Sequence, residues 1–334
     1  MPRDRVALIG GGGYVGAELQ QRLVDSGFAV TVLDTFWYPA GQWATSSERY
    51  SPHITYITGD VRSRESLKEA LSGAAACVHL ACISNDPSYE LDPGLAKSIN
   101  FDAFGLFVEV INSSSVERLI YASSSSVYGV KTEPDVTEDL SCQPLTDYSR
   151  YKIECEKMVL QNVRDGIVRS VIRPSTVCGV SRRQRFDLVV NILTLSALTR
   201  GVISVDGGTQ FRPNLHIDDM TASYLAMLRA PSESINTEIF NVAGANMTVM
   251  EIAQTVKRVL NDEPLIEVRD AKDLRSYRVS GKKIEQRLGF VPKKSVRDAV
   301  QDLVEAFNRG AFANSDSEEY FNIRRMKTLL SSTT

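Results

Sequence analysis

The chain has 334 residues, of which 43% are hydrophobic and 24% charged, with a formal net charge of −3. That length calls for one large or two intimately packed domains, and the near-balance of charge leaves no basic footprint for nucleic acid. No run approaches the ~20 apolar residues of a membrane span, and His53, His79 and His216 lack metal-ligand spacing, so neither a membrane partner nor a metal is expected.

Short β-branched runs at 5–9, 29–33, 54–57, 76–80, 118–122 and 169–173 alternate with helical patterns at 13–26, 63–71, 95–112 and 148–163. Such alternation predicts a parallel sheet covered on both faces. The pattern at 95–112 is apolar nearly all round, which predicts burial on both sides, through a helical dimer interface in preference to burial under a second lobe. Beyond Pro174 the rhythm changes to a helix at 186–198, strands at 202–205 and 214–217, a helix at 219–228 and a strand at 238–242. Helical patches at 249–260 and 296–307 follow. The fold class expected is α/β, a Rossmann-type doubly wound parallel sheet with a smaller, interleaved α/β lobe. Residues 1–175 plus about 214–243 form the larger domain, and about 176–213 with 244–334 the lobe.

Five cysteines, Cys77, Cys82, Cys142, Cys155 and Cys178, are odd in number and contain no C-x-x-C pair. Free thiols in a reduced, cytoplasmic protein are the expectation. The absence of an apolar leader ahead of Val6-Ala7-Leu8-Ile9 points the same way.

Three groups of residues carry chemistry. Gly10, Gly13 and Gly16 follow the first strand and open a helix, where glycine permits a tight turn and lets backbone N–H groups approach a pyrophosphate. Gly11, Gly13 and Gly16 satisfy the alternative spacing equally well. Asp34, at the end of the second strand, is placed to accept the adenosine ribose hydroxyls and to repel a 2′-phosphate, so NAD is expected in preference to NADP. Asp60, in Gly59-Asp60-Val61, either contacts adenine or caps the next helix.

Tyr148 and Lys152 are four residues apart and share a helix face. A phenol titrates near pH 10, and a neighbouring ammonium with the positive ring of an oxidised nicotinamide would favour its phenolate. A shift of about 3 units requires roughly 4 kcal/mol. The serine run Ser123–Ser126 after the fifth strand sits where ligands bind on such sheets, and a hydroxyl there could pass a proton to Tyr148.

With these elements in place the chain resembles the extended short-chain dehydrogenase/reductase family, in particular its NAD-dependent nucleotide-sugar epimerases and dehydratases. The resemblance runs through Gly10-x-x-Gly13-Tyr14-Val15-Gly16, Gly59-Asp60-Val61-Arg62, His79-Leu80-Ala81, Asn100, Val127-Tyr128-Gly129, Tyr148-x-x-x-Lys152 and Arg173-Pro174. It continues in Gln210-Phe211-Arg212, His216-Ile217-Asp218-Asp219 and Leu288-Gly289-Phe290-x-Pro292. It implies that Ser124, Tyr148 and Lys152 are catalytic. Cofactor contacts are implied for Tyr14, Val15, Asp60, Val61, Leu80, Ala81, Cys82, Asn100 and Pro174 beside the glycines and Asp34. Arg212 and Arg275 match arginines that clamp a substrate diphosphate, a task suited to a bidentate guanidinium. Ser84, Ser125 and Thr176 are further substrate contacts.

The chain departs from the pattern in places. Ser125 and Ser126 stand where dehydratases carry an acidic pair, which argues against 4,6-dehydration. Ile9 replaces a common threonine, Cys178 a common tyrosine, and Pro213-Asn214 a more usual Asp-aromatic pair. The function implied is NAD-dependent oxidation and reduction at C4 of a nucleoside-diphosphate sugar by a homodimeric 4-epimerase. A 4-dehydrogenase or 4-ketoreductase is the alternative, and a non-catalytic NAD-sensing protein the remote one. The aromatic-rich stretch 36–50 is expected to cover the adenosine or a partner subunit.

Overall fold

A computed structural model describes residues 4–38, 51–270, 276–312 and 314–331. Its strands are β1 (Arg5–Ile9), β2 (Ala29–Asp34), β3 (Ile54–Thr58), β4 (Ala76–His79), β5 (Arg118–Ala122) and β6 (Val168–Pro174). After these come β7 (Thr176–Cys178), β8 (Val202–Asp206), β9 (Phe211–His216), β10 (Glu238–Val242), β11 (Asn246–Thr248) and β12 (Leu265–Arg269). Seven of them pair in parallel in the order β10-β6-β5-β4-β1-β2-β3. From β1 the sheet grows outward in two directions, to β2 on one side and β4 on the other, with Ile9 opposite both Leu33 and His79. A crevice therefore opens beyond the carboxyl ends of β1 and β4, where open α/β sheets bind ligands.

Alternate residues of each strand serve opposite faces. Ala7, Ile9, Cys77, Leu119 and Tyr121 pack on one side with α2 (Arg64–Leu71), α3 (Ala103–Asn112) and α4 (Asp147–Asn162). Val6, Leu8, Val78, Ile120 and Ile172 pack on the other with α1 (Tyr14–Asp25) and α6 (Ile217–Arg229), which follows α5 (Val189–Arg200) in the chain. Burial on both faces explains why these strands read as continuous apolar runs.

The second lobe gathers α5, α7 (Val249–Val259) and α9 (Val296–Asn308) around Val190, Ile203, Ile252 and Val300. It carries the three-stranded sheet β11-β9-β7 and the pair β12-β8. The lobe is interleaved with the main sheet because the chain leaves at β7, returns for α6 and β10, and leaves again at β11. Capping boxes at Thr248/Glu251 and Ser295/Asp298 start α7 and α9. Among the described residues no helix is long and apolar enough to cross a membrane.

Two expectations change. The single helix at 95–112 is instead a short turn, Pro93–Lys97, a π turn, Ser98–Asp102, and then α3. The break centres on Asn100, whose side chain turns inward to accept from Ile83 N at 2.8 Å and donate to Ile83 O at 3.0 Å. Phe104, Phe107 and Ile111 are buried by this chain's own sheet and by α2 and α4, and the second lobe takes no part. Ile99, Phe101 and Leu106 are only partly buried. The C-terminal helix α10 (Asn322–Ser331), which follows α8 (Lys282–Leu288) and α9, is an element the periodicity did not suggest.

His79 closes β4 inside an aromatic cage, with ring centroids 5.1 Å from Phe104, 4.5 Å from Phe107 and 5.9 Å from Tyr121. Its Nδ1 has no hydrogen-bond partner among the described residues. Burial, helped by the Lys152 charge, pushes its pKa down from 6.5 to about 3. The unfolded chain therefore takes up a proton near pH 6.5 that the native state refuses, so stability is lost as the pH falls from 6.5 toward 3. Between pH 7 and pH 5 this group should cost about 2 kcal/mol. Urea unfolding at the two pH values should show a difference smaller by that amount in His79→Phe; an unchanged difference would contradict the burial of a neutral ring.

Candidate active site

The turn after β1 is shaped by what cannot fit. Gly10 has φ +82°, and a Cβ there would lie 2.4 Å from Ala81 Cα and N. At Gly16 a Cβ would lie 2.4 Å from Gly11 O, so the start of α1 rests directly on the turn. Gly13, the N-cap of α1, differs. A Cβ there would meet only Gly10 O, at 3.7 Å, because the space in front opens into the cleft.

No side chain caps α1 and its first turn holds no acid. Side chains of Ser63, Thr146, Thr248 and Ser295 cap α2, α4, α7 and α9. The exposed N–H groups and dipole of α1 are thus left for an external anion, and the turn fits a dinucleotide pyrophosphate.

Asp34 stands beside this turn. Its Oδ2 accepts from Gly12 N and its Oδ1 from Phe36 N, both at 2.8 Å. Burial raises its pKa, and the two N–H donors oppose that rise. The carboxylate lines the cleft in a fixed orientation, as a ribose-diol acceptor requires. Asp60 accepts from Arg62 N at 2.8 Å while Ser63 caps α2, so Asp60 is not used as the cap.

A cleft of about 650 Å³ runs from these groups along the carboxyl edge of the sheet and under the second lobe. Ser124, Tyr148 and Lys152 line its middle. Ser124 follows β5 and caps a short 3-10 turn by accepting from Ser126 N at 3.1 Å. Ser126 Oγ lies 2.9 Å from Ser149 Oγ, which ties the serine loop to the first turn of α4. Thr146, the α4 cap, donates to Asp86 at 2.5 Å. Tyr148 is therefore held by both ends of a hydrogen-bonded chain.

Lys152 Nζ donates to Ala122 O at 2.7 Å and lies 5.8 Å from the Tyr148 ring centroid. The phenolate is expected from this lysine and a positive nicotinamide ring together, and the chain alone supplies only the first. Burial pushes the phenol well above 10, Cys82 and Asp86 add to that, and Arg185 with the hydrogen-bonded Ser124 hydroxyl opposes it. The neutral phenol is the form this setting favours.

Beneath the site lies a buried ion pair. Arg173 Nη2 is 2.6 Å from Glu156 Oε2, and Arg173 Nε donates to Glu156 Oε1 at 2.9 Å. Ser123 donates to the same carboxylate, while Arg173 Nη1 donates to Tyr128 Oη at 2.9 Å and Tyr128 in turn to Asn241 at 2.8 Å. One network thus fastens the serine loop, α4, β6 and β10 together.

The remaining sequence-derived residues separate clearly. Tyr14, Val15, Val61, Leu80, Ala81, Cys82 and Pro174 line the cleft with the glycines, and so do Ser84, Ser125, Thr176 and Arg212. Ser84 is already engaged, accepting from Arg185 at 3.2 Å and Asn322 at 3.0 Å. Asn100 lies behind the wall, bracing Ile83. Arg275 and most of the stretch 36–50 lie outside the described residues. His216 bonds Asp218 N through Nδ1 and Asp302 through Nε2, each at 3.1 Å, so both ring nitrogens of that acidic cluster are in use.

Sequence reasoning missed Arg183, Arg185, Asp187 and Asn322, all of which line the cleft. Three arginines within four residues, Arg182, Arg183 and Arg185, in a net-acidic chain were the available signal. Asn322 had none, because α10 reaches the cleft only through the tertiary fold.

The sequence profile of the NAD dependent epimerase/dehydratase family matches residues 6–243. Among curated proteins, a UDP-glucose 4-epimerase of Lactobacillus helveticus is 25% identical over 274 residues, covering 76% of this chain and 81% of its own. One of Streptomyces lividans is 24% identical over 319 residues, covering 89% and 94%. The fold is similar to that of UDP-glucuronic acid 4-epimerase from Bacillus cereus, solved with UDP-glucuronic acid and NAD. There the TM-score is 0.82 at 22% identity, with 91% of this chain and 99% of that one covered.

Removing one partner of the buried ion pair strands the other charge, which costs about 3–5 kcal/mol. Arg173→Met should lower unfolding stability by that amount, and adding Glu156→Met should recover most of it. A single variant as stable as the parent would contradict the role given to this network.

Proposed function

The chain belongs to the NAD dependent epimerase/dehydratase family, and we propose that it interconverts the C4 epimers of a nucleoside-diphosphate sugar. It is an enzyme, and its cofactor is NAD. The observation that carries the substrate reading is the continuity of one cleft, from the uncapped start of α1 past Ser124, Tyr148 and Lys152 to Arg212 in the second lobe. In this reading a dinucleotide and a glycosyl nucleotide lie end to end along that path, with the proton-transfer groups where they meet.

Bound NAD would supply a hydride acceptor and donor for the reacting carbon and a positive charge that favours the Tyr148 phenolate. Gly13, Val15 and Gly16 would offer the backbone for its phosphates, Asp34 would hold the adenosine ribose, and Lys152 the nicotinamide ribose. Tyr148 Oη takes the proton of the sugar hydroxyl, with Ser124 Oγ as hydrogen-bond partner, and gives it back. Arg212 anchors the substrate diphosphate, so the nucleotide stays in the second lobe while the sugar turns about its diphosphate linkage. Remote binding energy then positions the reacting carbon. The serines at 125 and 126 supply no acid or base for elimination, which favours epimerisation over dehydration.

The main sheet, 1–175 with about 214–243, serves the cofactor in this reading, and 176–213 with 244–334 the sugar nucleotide. A homodimer through the partly buried Phe101 and Leu106 and a reducing, cytoplasmic setting complete it; all five cysteines are free thiols.

Incubation with UDP-glucose, UDP-glucuronic acid and their thymidine, guanosine and cytidine counterparts, read by NMR, should reveal a C4 epimer from at least one. Turnover of none would overturn the reading. Tyr148→Phe should lower turnover by about 10²–10⁴-fold while the protein still binds NAD; near-parental turnover would remove Tyr148 from its role.

A further inference from the structure

A second positive feature converges on the uncapped start of α1. The loop after β7 is tied down there by three bonds, each of 2.7 Å. Tyr14 Oη donates to Gly179 O, Ser181 Oγ donates to Tyr14 O, and Arg182 N donates to Glu18 Oε1. The next residue, Arg183, lines the same cleft.

Arg183 is only 2% exposed, and its guanidinium lies 4.1 Å from the ring centroid of Tyr38. Nη2 donates to Asn322 Oδ1 at 2.5 Å. Among the described residues its buried Nε has no hydrogen-bond partner and no carboxylate forms an ion pair with it. Arg185, two residues on, differs: its Nε and Nη2 fork onto both oxygens of Asp187 at 2.9 and 3.1 Å. Asp34 is near enough to feel the Arg183 charge, which helps hold its carboxylate down. Arg183 is thus linked through Asn322 to Ser84, acts on Asp34, and directly follows the two residues bonded to the start of α1.

A buried cation with an orphaned donor is costly unless an anion completes it. Burial and the neighbouring Arg185 already push the guanidinium down to about 10. The uncapped α1 terminus and Arg183 line the same cleft, so one anionic ligand could serve both.

We propose that Arg183 closes the diphosphate cradle of the bound dinucleotide from the second lobe, and that α10, through Asn322, holds it in place. This rests on the NAD reading above. Helix α10 is itself fastened over the cleft: Arg325 Nε donates to Trp37 O at 2.7 Å, and Met326 packs with Ile83, Tyr89 and Tyr38. The clasp retains the cofactor between turnovers, as an epimerase that recycles its hydride requires. Arginine suits the task because its fork meets two phosphate oxygens at once.

Calorimetric titration of the full chain, stripped of nucleotide, tests this with NAD and with adenosine, which lacks the diphosphate. Arg183→Met should weaken NAD binding by about 10- to 100-fold and leave adenosine binding unchanged. Arg183→Lys should fall between, and the parent's NAD affinity should drop with salt more steeply than the Met variant's. Failure of the parent to bind NAD would sink the cofactor reading itself. Normal NAD binding by Arg183→Met, with weaker binding of a sugar nucleotide or no change at all, would overturn only the clasp. Should Arg183→Met not fold, Asn322→Ala must release NAD faster than the parent in stopped-flow displacement, and equal release rates overturn the proposal.

Discussion

At the junction of β1 and β4 two backbones approach too closely for any side chain to come between them. Gly10 meets Ala81 there, and Gly16 rests on Gly11. This contact aims the start of α1 at the crevice where the sheet reverses its growth, and it leaves the helix terminus without an internal cap. Much else follows from that placement. Asp34 is fixed by the N–H of Gly12 in the same turn. The loop 179–185 docks on Tyr14 and Glu18 at the helix start. Through that loop the second lobe is set at a defined distance from the sheet, and the cleft between them acquires its length.

The catalytic half of the cleft depends on a different kind of constraint. Ser124 lies on a loop, which would ordinarily be mobile, yet the proton-transfer role proposed for it needs a fixed hydroxyl. The Glu156–Arg173 pair and its hydrogen-bonded neighbours supply rigidity from below, and the Ser126–Ser149 contact from the side. A buried ion pair contributes little net stability compared with apolar packing. Its use here is positional, since it joins four elements that β pairing alone would leave free to shift against the loop. Burial also sets the chemistry. Burial favours the neutral form of the Tyr148 phenol, and Arg185 and the Ser124 hydroxyl oppose it.

The main sheet was legible because its strands are buried on both faces and so read as short apolar runs broken by helices. The glycine turn, Asp34 and the Tyr148/Lys152 pair were legible because their chemistry is local: each is a spacing within one turn, strand end or helix. The break at Asn100 was not, since a π turn is stabilised by a contact with Ile83 seventeen residues away in the sequence. Nor were β7, β11 and β12, which are too short or too exposed to show periodicity and exist through their partners. The same applies to α10 and Asn322, whose importance arises from packing against residues near 37 and 83. The electrostatic setting of Tyr148 was only partly legible, for a related reason. Sequence spacing brings Lys152 to the right face but does not reveal that its ammonium is turned toward Ala122 O, or how deeply the phenol is buried.

The central claim is that one carbon of the sugar loses and regains its hydrogen inside a closed site. The most direct test is to supply a turned-over nucleotide sugar carrying deuterium at C4 and locate the label in the product by NMR and mass spectrometry. The account predicts the C4 epimer with deuterium still at C4. Loss of the label to solvent, or inversion at another carbon with the C4 label untouched, would contradict it.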